Sequence, residues 1–441
     1  MLKSLTLKNV GPAPEMRLDL APRLNLITGD NGLGKSFLLD VAWWALTRHW
    51  PHEVNPRLTQ GFMAKPRDLK KPATLGFELT SRANAKITYT STYVPRDEAW
   101  TGKPGRPPNP GLVIYAQSDG GFSVWDPARN YWRKRGGVDV QDRVPAYVFS
   151  PRQVWDGLEV ERDGVPTPVC NGLIRDWAGW IREGDDNAEG MAFILEGLSP
   201  AGEDGLLRPG PLARVSLDDV RDVPTLVTDY AEAVPILHAS SGVRRAVALA
   251  YMLLWTWAEH RRAAELIGEE PTLHVVMIID EIESHLHPRW QRSILGSILD
   301  LAKVLHEDAA VQVIAATHSP LVLASAEPLF NVETDAWFDL DLQRSKGAAA
   351  VVLQKREFLR RGTAGRWLTS DAFDLKSEGR SIPAEAAIQH AEELVARANT
   401  DKPPTKREIT KANTALSEVL SDVDRFWIRW SAFVEDFRGH G

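Results

Sequence analysis

Cysteine is nearly missing from this chain: Cys170 is the single one in 441 residues. That excludes an intrachain disulfide and any zinc site built on cysteine pairs. Long apolar runs are missing as well. The longest, residues 246–255, is ten residues, about half of what a bilayer-spanning helix needs. Residues 1–10 alternate like a strand and contain no apolar block of signal-peptide type, so a cytoplasmic protein with no membrane contact is expected. An excess of positive charge is missing too. The formal net charge is −7, which gives no overall basic field to attract nucleic acid. Basic clusters exist only locally, at residues 65–71 and at Lys355, Arg356, Arg360, Arg361 and Arg366. The latter are expected on a helix or its flank, so DNA contact stays open at both places.

What is present is enough for a large core, with 43% hydrophobic residues and sixteen tryptophans to fill it. The most specific feature is Gly29-Asp30-Asn31-Gly32-Leu33-Gly34-Lys35-Ser36, a complete GxxxxGK[ST] loop. It follows the apolar run of residues 24–28 and opens into Phe37-Leu38-Leu39-Asp40, which has helical spacing. Strand, glycine loop and helix start form the context a phosphate-binding loop requires. Its glycines let backbone N–H groups close around an anion at a helix N-terminus. A nucleoside triphosphate is therefore expected here, held by Asn31, Gly32, Gly34, Lys35, Ser36 and Phe37. Lys35 reaches the β- and γ-phosphates, and Ser36 ligates Mg²⁺.

Hydrophobic patterning sketches the rest. Candidate strands at residues 2–10, 16–20, 73–79 and 86–93 alternate, whereas residues 273–279 and 311–316 are unbroken apolar runs of buried parallel-strand type. Residues 112–117 and 122–125 flank Ser118-Asp119-Gly120-Gly121, a hairpin signal. Together with the 73–93 strands it suggests an antiparallel β layer added to the nucleotide core. Helices are expected at 173–182, 244–266 and from Pro288 to about residue 306. Lys402-Pro403-Pro404 reads as a linker before an amphipathic helix at 410–438.

Residues 275–281, Val-Val-Met-Ile-Ile-Asp-Glu, make a buried strand tipped by two acids. Asp280 can hold the Mg²⁺ shell beside Ser36, and Glu281 can polarise an attacking water as general base. His318, just beyond the 311–316 strand, is placed to hydrogen-bond a γ-phosphate and sense it. Catalytic roles therefore fall on Glu281, Lys35 and His318. Between the two motifs, His238-Ala239-Ser240-Ser241-Gly242 opens a long helix and offers a second anion site. His285 and His287 are only one residue apart, with no carboxylate cluster beside them, so a zinc role is not expected.

This order of motifs resembles the ABC-type ATPases, within them the soluble SMC/RecF/OLD-like branch. The resemblance implies an α/β fold: a P-loop NTPase of ABC-ATPase type with a mixed central sheet, an antiparallel β layer and a helical subdomain. It implies ATP and Mg²⁺ as cofactors and a homodimer or higher homo-oligomer closed by ATP-sandwich interfaces. The signature turn falls on residues 239–243, with Ser240 and Gly242 facing the partner's γ-phosphate. It differs from Leu-Ser-Gly-Gly-Gln at three of five positions. The D-loop falls on residues 284–287, and Gln153 is the Q-loop candidate. Residues 154–158, 319–325 and 368–373 look like ATPase subunits of bacterial antiphage systems, PtuA of Septu and AriA of PARIS, which implies a separate nuclease effector. The alternative within the branch is a RecF/SMC-like DNA-repair ATPase that grips DNA itself.

The implied organisation is an ATPase domain over 1–395, with a β insertion at about 50–145 and a helical, signature-bearing subdomain at about 155–265. A helical tail follows at 396–441. The absence of Phe, Tyr and Trp from residues 1–36 removes the adenine-stacking ring of transporter ATPases, and no Asn-Lys-x-Asp guanine element occurs. Asp339-Leu340-Asp341 could suggest a TOPRIM nuclease, but it follows His318 too closely for the preceding unit such a site needs. Residues 337–342 are instead expected as an alternating edge strand.

Overall fold

The computed structural model describes the chain apart from residues 103–104, 163, 201–204, 229–230, 306–308, 346–347, 399, 401 and 440–441. Two compact units emerge, Met1–Gly362 and Thr363–Gly441.

An eight-stranded sheet organises the first unit. Its middle is parallel, in the order Leu112–Ala116, His274–Ile279, Ala310–Ala316, Leu24–Gly29, Asp335–Ser345. Antiparallel strands finish both ends, Phe122–Trp125 and Tyr147–Phe149 on one side and Ala348–Arg356 on the other. The unbroken apolar runs occupy the centre because both faces of the sheet are covered there. Five of the six residues of His274–Ile279 are buried.

A second, five-stranded antiparallel sheet joins Leu2–Lys8 and Glu15–Asp19 to Thr74–Thr80, Lys86–Val94 and Ala99–Trp100. The helix Lys35–Thr47 lies between the sheets. Eleven of its thirteen residues are buried, as a helix that is apolar all round demands. Leu38, Val41 and Trp43 share one core with Leu5 and Phe77 of the antiparallel sheet and Ile278 and Ile314 of the parallel one. Trp44 stacks on Trp50 at 5.4 Å and meets the edge of Phe77 at 6.4 Å. A buried glutamine stitches the layers. Gln312 accepts from the Leu2 amide at 2.8 Å and donates to the Leu2 and Ala21 carbonyls at 2.7 and 2.8 Å.

The helical region of this unit contains Leu173–Glu183, Asp186–Leu198 and the 26-residue helix Ser241–Leu266. The second unit is a helical bundle of Ile382–Arg397, Lys406–Val419 and Phe426–Gly439 around Ala391, Leu394, Leu416 and Trp430.

Several expectations need correction. The 112–125 hairpin belongs to the central sheet, since Leu112–Ala116 is buried at every position; the N-terminal strands take its place in the antiparallel layer. Residues 337–342 are not an edge, because Ala348–Arg356 pairs outside them. Lys355 and Arg356 therefore end a strand rather than lie on a helix. The helix from Pro288 stops at Gln291 and restarts at Ile294, where Ser293 bonds back three residues to the Trp290 carbonyl; its expected end at 306 lies outside the described residues. The C-terminal helix is two helices. Turn-forming Ser421 and Asp424 break it, and Asp424 accepts from the Phe426 amide at 2.8 Å. Lys402-Pro403-Pro404 connects two helices inside the second unit.

Candidate functional site

The loop after Leu24–Gly29 turns through residues that only glycine fills without strain. Gly34 is the N-cap of Lys35–Thr47 with φ 100°, and a Cβ there would lie 2.8 Å from Pro12 Cγ. Among the predicted ligands of the loop, Asn31 and Gly32 are exposed, Ser36 and Phe37 half-buried, and Lys35 buried. Lys35 Nζ donates to the Gly29 and Asp30 carbonyls at 2.7 and 2.9 Å. Burial pulls its pKa down, while Asp280, Asp30, Glu281 and Glu283 oppose that pull. Its charge is thus already aimed into the loop.

The strand next but one ends at Asp280, whose amide is held by the Ala116 carbonyl at 2.9 Å. Asp280 is 1% exposed, and neither carboxylate oxygen has a hydrogen-bond partner among the described residues. Burial raises its pKa and the Glu281 charge adds to it, with the Ser36 and Ser118 hydroxyls and Lys35 easing the charge. A buried carboxylate left this way carries a desolvation cost that these neighbours offset only in part. Hard oxygen donors from Asp280 and Ser36 suit Mg²⁺, which binds through one or two protein groups plus phosphate oxygens. The residues present therefore fit that ion. No group of three or more His, Cys, Asp or Glu able to hold a metal occurs among the described residues. His287 instead caps a helix, its Nδ1 accepting from the Arg289 amide at 3.3 Å.

Glu281 has left-handed backbone, φ 48°. A non-glycine residue there stores strain of about 1–3 kcal/mol, which the surroundings must hold in place. Glu283 supplies part of that hold. It accepts from the Thr317 hydroxyl at 2.7 Å and from the His318 amide, tying the acid-tipped loop to the loop that carries the histidine. Burial raises the Glu283 pKa against those bonds. The His318 pKa is lowered by burial and then by Lys35, with Glu281, Asp30 and the Gly29 backbone opposing. Lys35, Asp280, Glu281 and His318, read separately along the sequence, thus surround one point at the mouth of the glycine loop.

Residues 24–324 match the model of the family described as "AAA domain, putative AbiEii toxin, Type IV TA system". The chain belongs to this family. It is an ATPase. Among solved structures, the likeness extends to an SMC head bound to the C-winged helix domain of ScpA, at 15% identity and TM-score 0.43, covering 80% of this chain and 98% of that one. The SMC head domain from Thermotoga maritima matches at 16% identity and TM-score 0.37, with the same coverage. The recombination mediator protein RecF matches at 12% and 0.35, again over 80% and 98%.

Two residues of this AAA-domain ATPase escaped the sequence reading. Gln117 follows the strand adjacent to Asp280's, is fully buried, and both its amide atoms lack partners among the described residues. Arg245, on the helix Ser241–Leu266, has an unpartnered, buried Nη1; burial lowers its pKa while Asp119, Asp280 and Glu281 oppose. Both lie far from the loop in sequence, so only strand order and helix placement reveal them. Gln153 sits elsewhere. Its strand, Tyr147–Phe149, is three strands from Asp280's, about 14 Å across the sheet. Its Oε1 accepts from the Ser150 amide at 2.9 Å and Asn55 Nδ2 at 2.7 Å. Ser240 is an exposed N-cap that accepts from the Val243 amide at 3.4 Å. Gly242 packs on its own chain, where a Cβ would meet the His285 carbonyl at 2.6 Å. Asp339 is occupied structurally, accepting from the Thr28 hydroxyl at 2.7 Å.

Proposed function

We propose that this ABC-type ATPase binds Mg²⁺–ATP at residues 29–37, closes on a second copy around it, and thereby controls a separate effector, a nuclease of antiphage defence in the cytoplasm. The observation that carries the reading is the orphaned, buried Asp280 carboxylate beside Ser36, with Lys35, Glu281 and His318 about it. Mg²⁺, when bound, would draw charge from the β- and γ-phosphate oxygens. Lys35 exchanges its carbonyl partners for phosphate oxygens at small cost, because it is already desolvated and aimed. Glu281 orients the attacking water. His318, its pKa lowered by burial and by Lys35, offers a ring nitrogen to the γ-phosphate. Gln117, with no partner of its own, takes the Q-loop role in place of Gln153, contacting the metal shell or the water. Ser240 and Gly242 act across the interface. The exposed turn at Ser240 supports that assignment.

The test compares wild type with Glu281→Gln. The variant should retain ATP, release phosphate at least about tenfold more slowly, and run as a larger species on size exclusion only when ATP is present. Equal phosphate release from both proteins removes the enzymatic role of Glu281. One observation favours a second reading, in which the protein grips DNA itself: Lys65, Arg67, Lys70 and Lys71 are all exposed along one stretch. ATP-dependent DNA binding that weakens steeply with salt, and that is lost on neutralising these four residues, selects it.

A further inference from the structure

The P-loop helix has a second end. A cavity of about 870 Å³ opens there, between the end of Lys35–Thr47, the outer strands of the antiparallel sheet and the segment at residues 130–132. That volume suits a small molecule. Trp44, Tyr89, Trp100, Trp125, Tyr131 and Trp132 line it, and no carboxylate lies among its described lining residues.

Three arginines reach this cavity, and two are neutralised. Arg82 pairs with Glu269 at 2.9 Å and Arg106 with Asp139 at 2.8 Å. Arg48 has no acidic partner among the described residues. Its guanidinium lies over Phe77, Trp44 and Tyr89 at 4.0, 5.1 and 5.2 Å, and its buried Nη1 has no hydrogen-bond acceptor. Burial lowers its pKa to about 10, so it stays charged at neutral pH. Ring faces ease a cation but do not satisfy its N–H groups. Nearby, Gln141 spends its Nε2 on the Asn130 carbonyl at 3.2 Å, and its buried Oε1 is left without a donor. Among its described lining residues the cavity therefore presents flat aromatic walls and, covered beneath them, one guanidinium without an acidic partner and one amide oxygen without a donor.

We infer that this cavity is a second ligand site, separate from the triphosphate loop, for a nucleoside monophosphate or a close chemical relative: a planar ring with an exocyclic N–H, carrying a phosphate. The ring fills the space between the aromatic side chains, the N–H satisfies Gln141 Oε1, and the phosphate meets Arg48. A neutral apolar molecule leaves Arg48 and Gln141 unmatched. Inorganic phosphate leaves the aromatic walls uncovered. Arg48 is the C-cap of the helix whose first residue is Lys35, about 20 Å away along the axis. One rigid element thus has an end in each site, which suits the second ligand to report to the first.

The probes are AMP, GMP and CMP, with UMP, whose base has no exocyclic N–H, as the control, titrated by calorimetry and tryptophan fluorescence into the full chain carrying Lys35→Ala to silence the triphosphate loop. At least one should bind with a Kd below about 1 mM, and adenosine and inorganic phosphate should each bind at least about tenfold more weakly. Arg48→Gln should weaken binding about tenfold or more. Because Arg48→Gln can also disturb the helix end, Gly102→Trp is the second variant. Gly102 lines the cavity, and a Cβ there meets nothing within 4 Å, so the new ring fills the space and should abolish binding. The inference falls if no monophosphate binds, if binding survives both substitutions, or if a single-stranded oligonucleotide is the only nucleic species bound there. None of these outcomes touches the proposed ATPase site, because Mg²⁺–ATP binding to Gly102→Trp with native Lys35 reads that site separately.

Discussion

Asp40 offers the sharpest energetic test of the site's interior. It lies one helical turn beyond Ser36, is 9% exposed, and accepts a hydrogen bond from Tyr115 Oη at 3.0 Å. Burial pushes its carboxyl up to about 7; the Tyr115 bond opposes this and Asp280 adds to it. The folded pKa is raised above the unfolded value of 3.8, so the wild type carries no penalty at low pH and loses stability as pH rises towards 7. At about 1.4 kcal/mol per pK unit, the full penalty is about 4 kcal/mol above pH 8 and between 1 and 2 kcal/mol near pH 5. Asn at this position keeps the acceptor for Tyr115 and cannot ionise. Asp40→Asn should therefore be more stable than wild type by an amount that grows from about pH 4 to about pH 8 and then levels. Urea denaturation of both proteins at pH 5, 6.5 and 8.5 reads the difference directly. A stability gap that is flat with pH, or that shrinks as pH rises, refutes the claim that burial holds this carboxyl in its neutral form.

Three further outcomes are expected. Lys35→Ala should remove the rise in melting temperature that Mg²⁺–ATP gives wild type, while leaving the nucleotide-free melting temperature within a few degrees; an unchanged ATP response places the nucleotide elsewhere. Gln117→Ala should slow phosphate release about tenfold or more with little loss of stability. Gln153→Ala should do the reverse, costing about 1–2 kcal/mol through its lost helix cap and its bond to Asn55; activity assays and denaturation curves separate the two, and an exchange of phenotypes restores Gln153 to the site. Gln312→Leu strands the Leu2 amide and carbonyl and leaves the Ala21 carbonyl with Asn25 Nδ2 alone, and should cost about 2–4 kcal/mol, measured by chemical denaturation.

How much of this could be read along the chain depended on the range over which each signal acts. The glycine loop announced itself because its strand, its turn and its helix are contiguous, and the apolar run before Asp280 marked a strand covered on both faces. Strand order was not legible. The 112–125 hairpin looked like an addition because its turn chemistry is local, whereas the parallel pairing of Val275–Ile279 with Leu112–Ala116 spans more than 150 residues. The same gap hid a second glutamine: Gln153 follows a strand, as such a residue should, and Gln117 follows the strand that borders Asp280's. Arg245 stayed invisible because a basic residue early in a helix reads as exposed until the acids opposite it are located. In the second unit, amphipathic spacing continued through Ser421 and Asp424, so periodicity alone ran over a turn that side-chain capping imposes.

The Glu283 strut makes one linkage out of two segments distant in sequence. With its carboxylate fastened to Thr317 and His318, the backbone after Asp280 cannot shift without dragging the histidine along. A push on residues 284–287 is therefore carried to the backbone of the histidine through this carboxylate, and the Ile282 amide, which donates to the Ala316 carbonyl at 3.2 Å, is the second tie between the two segments.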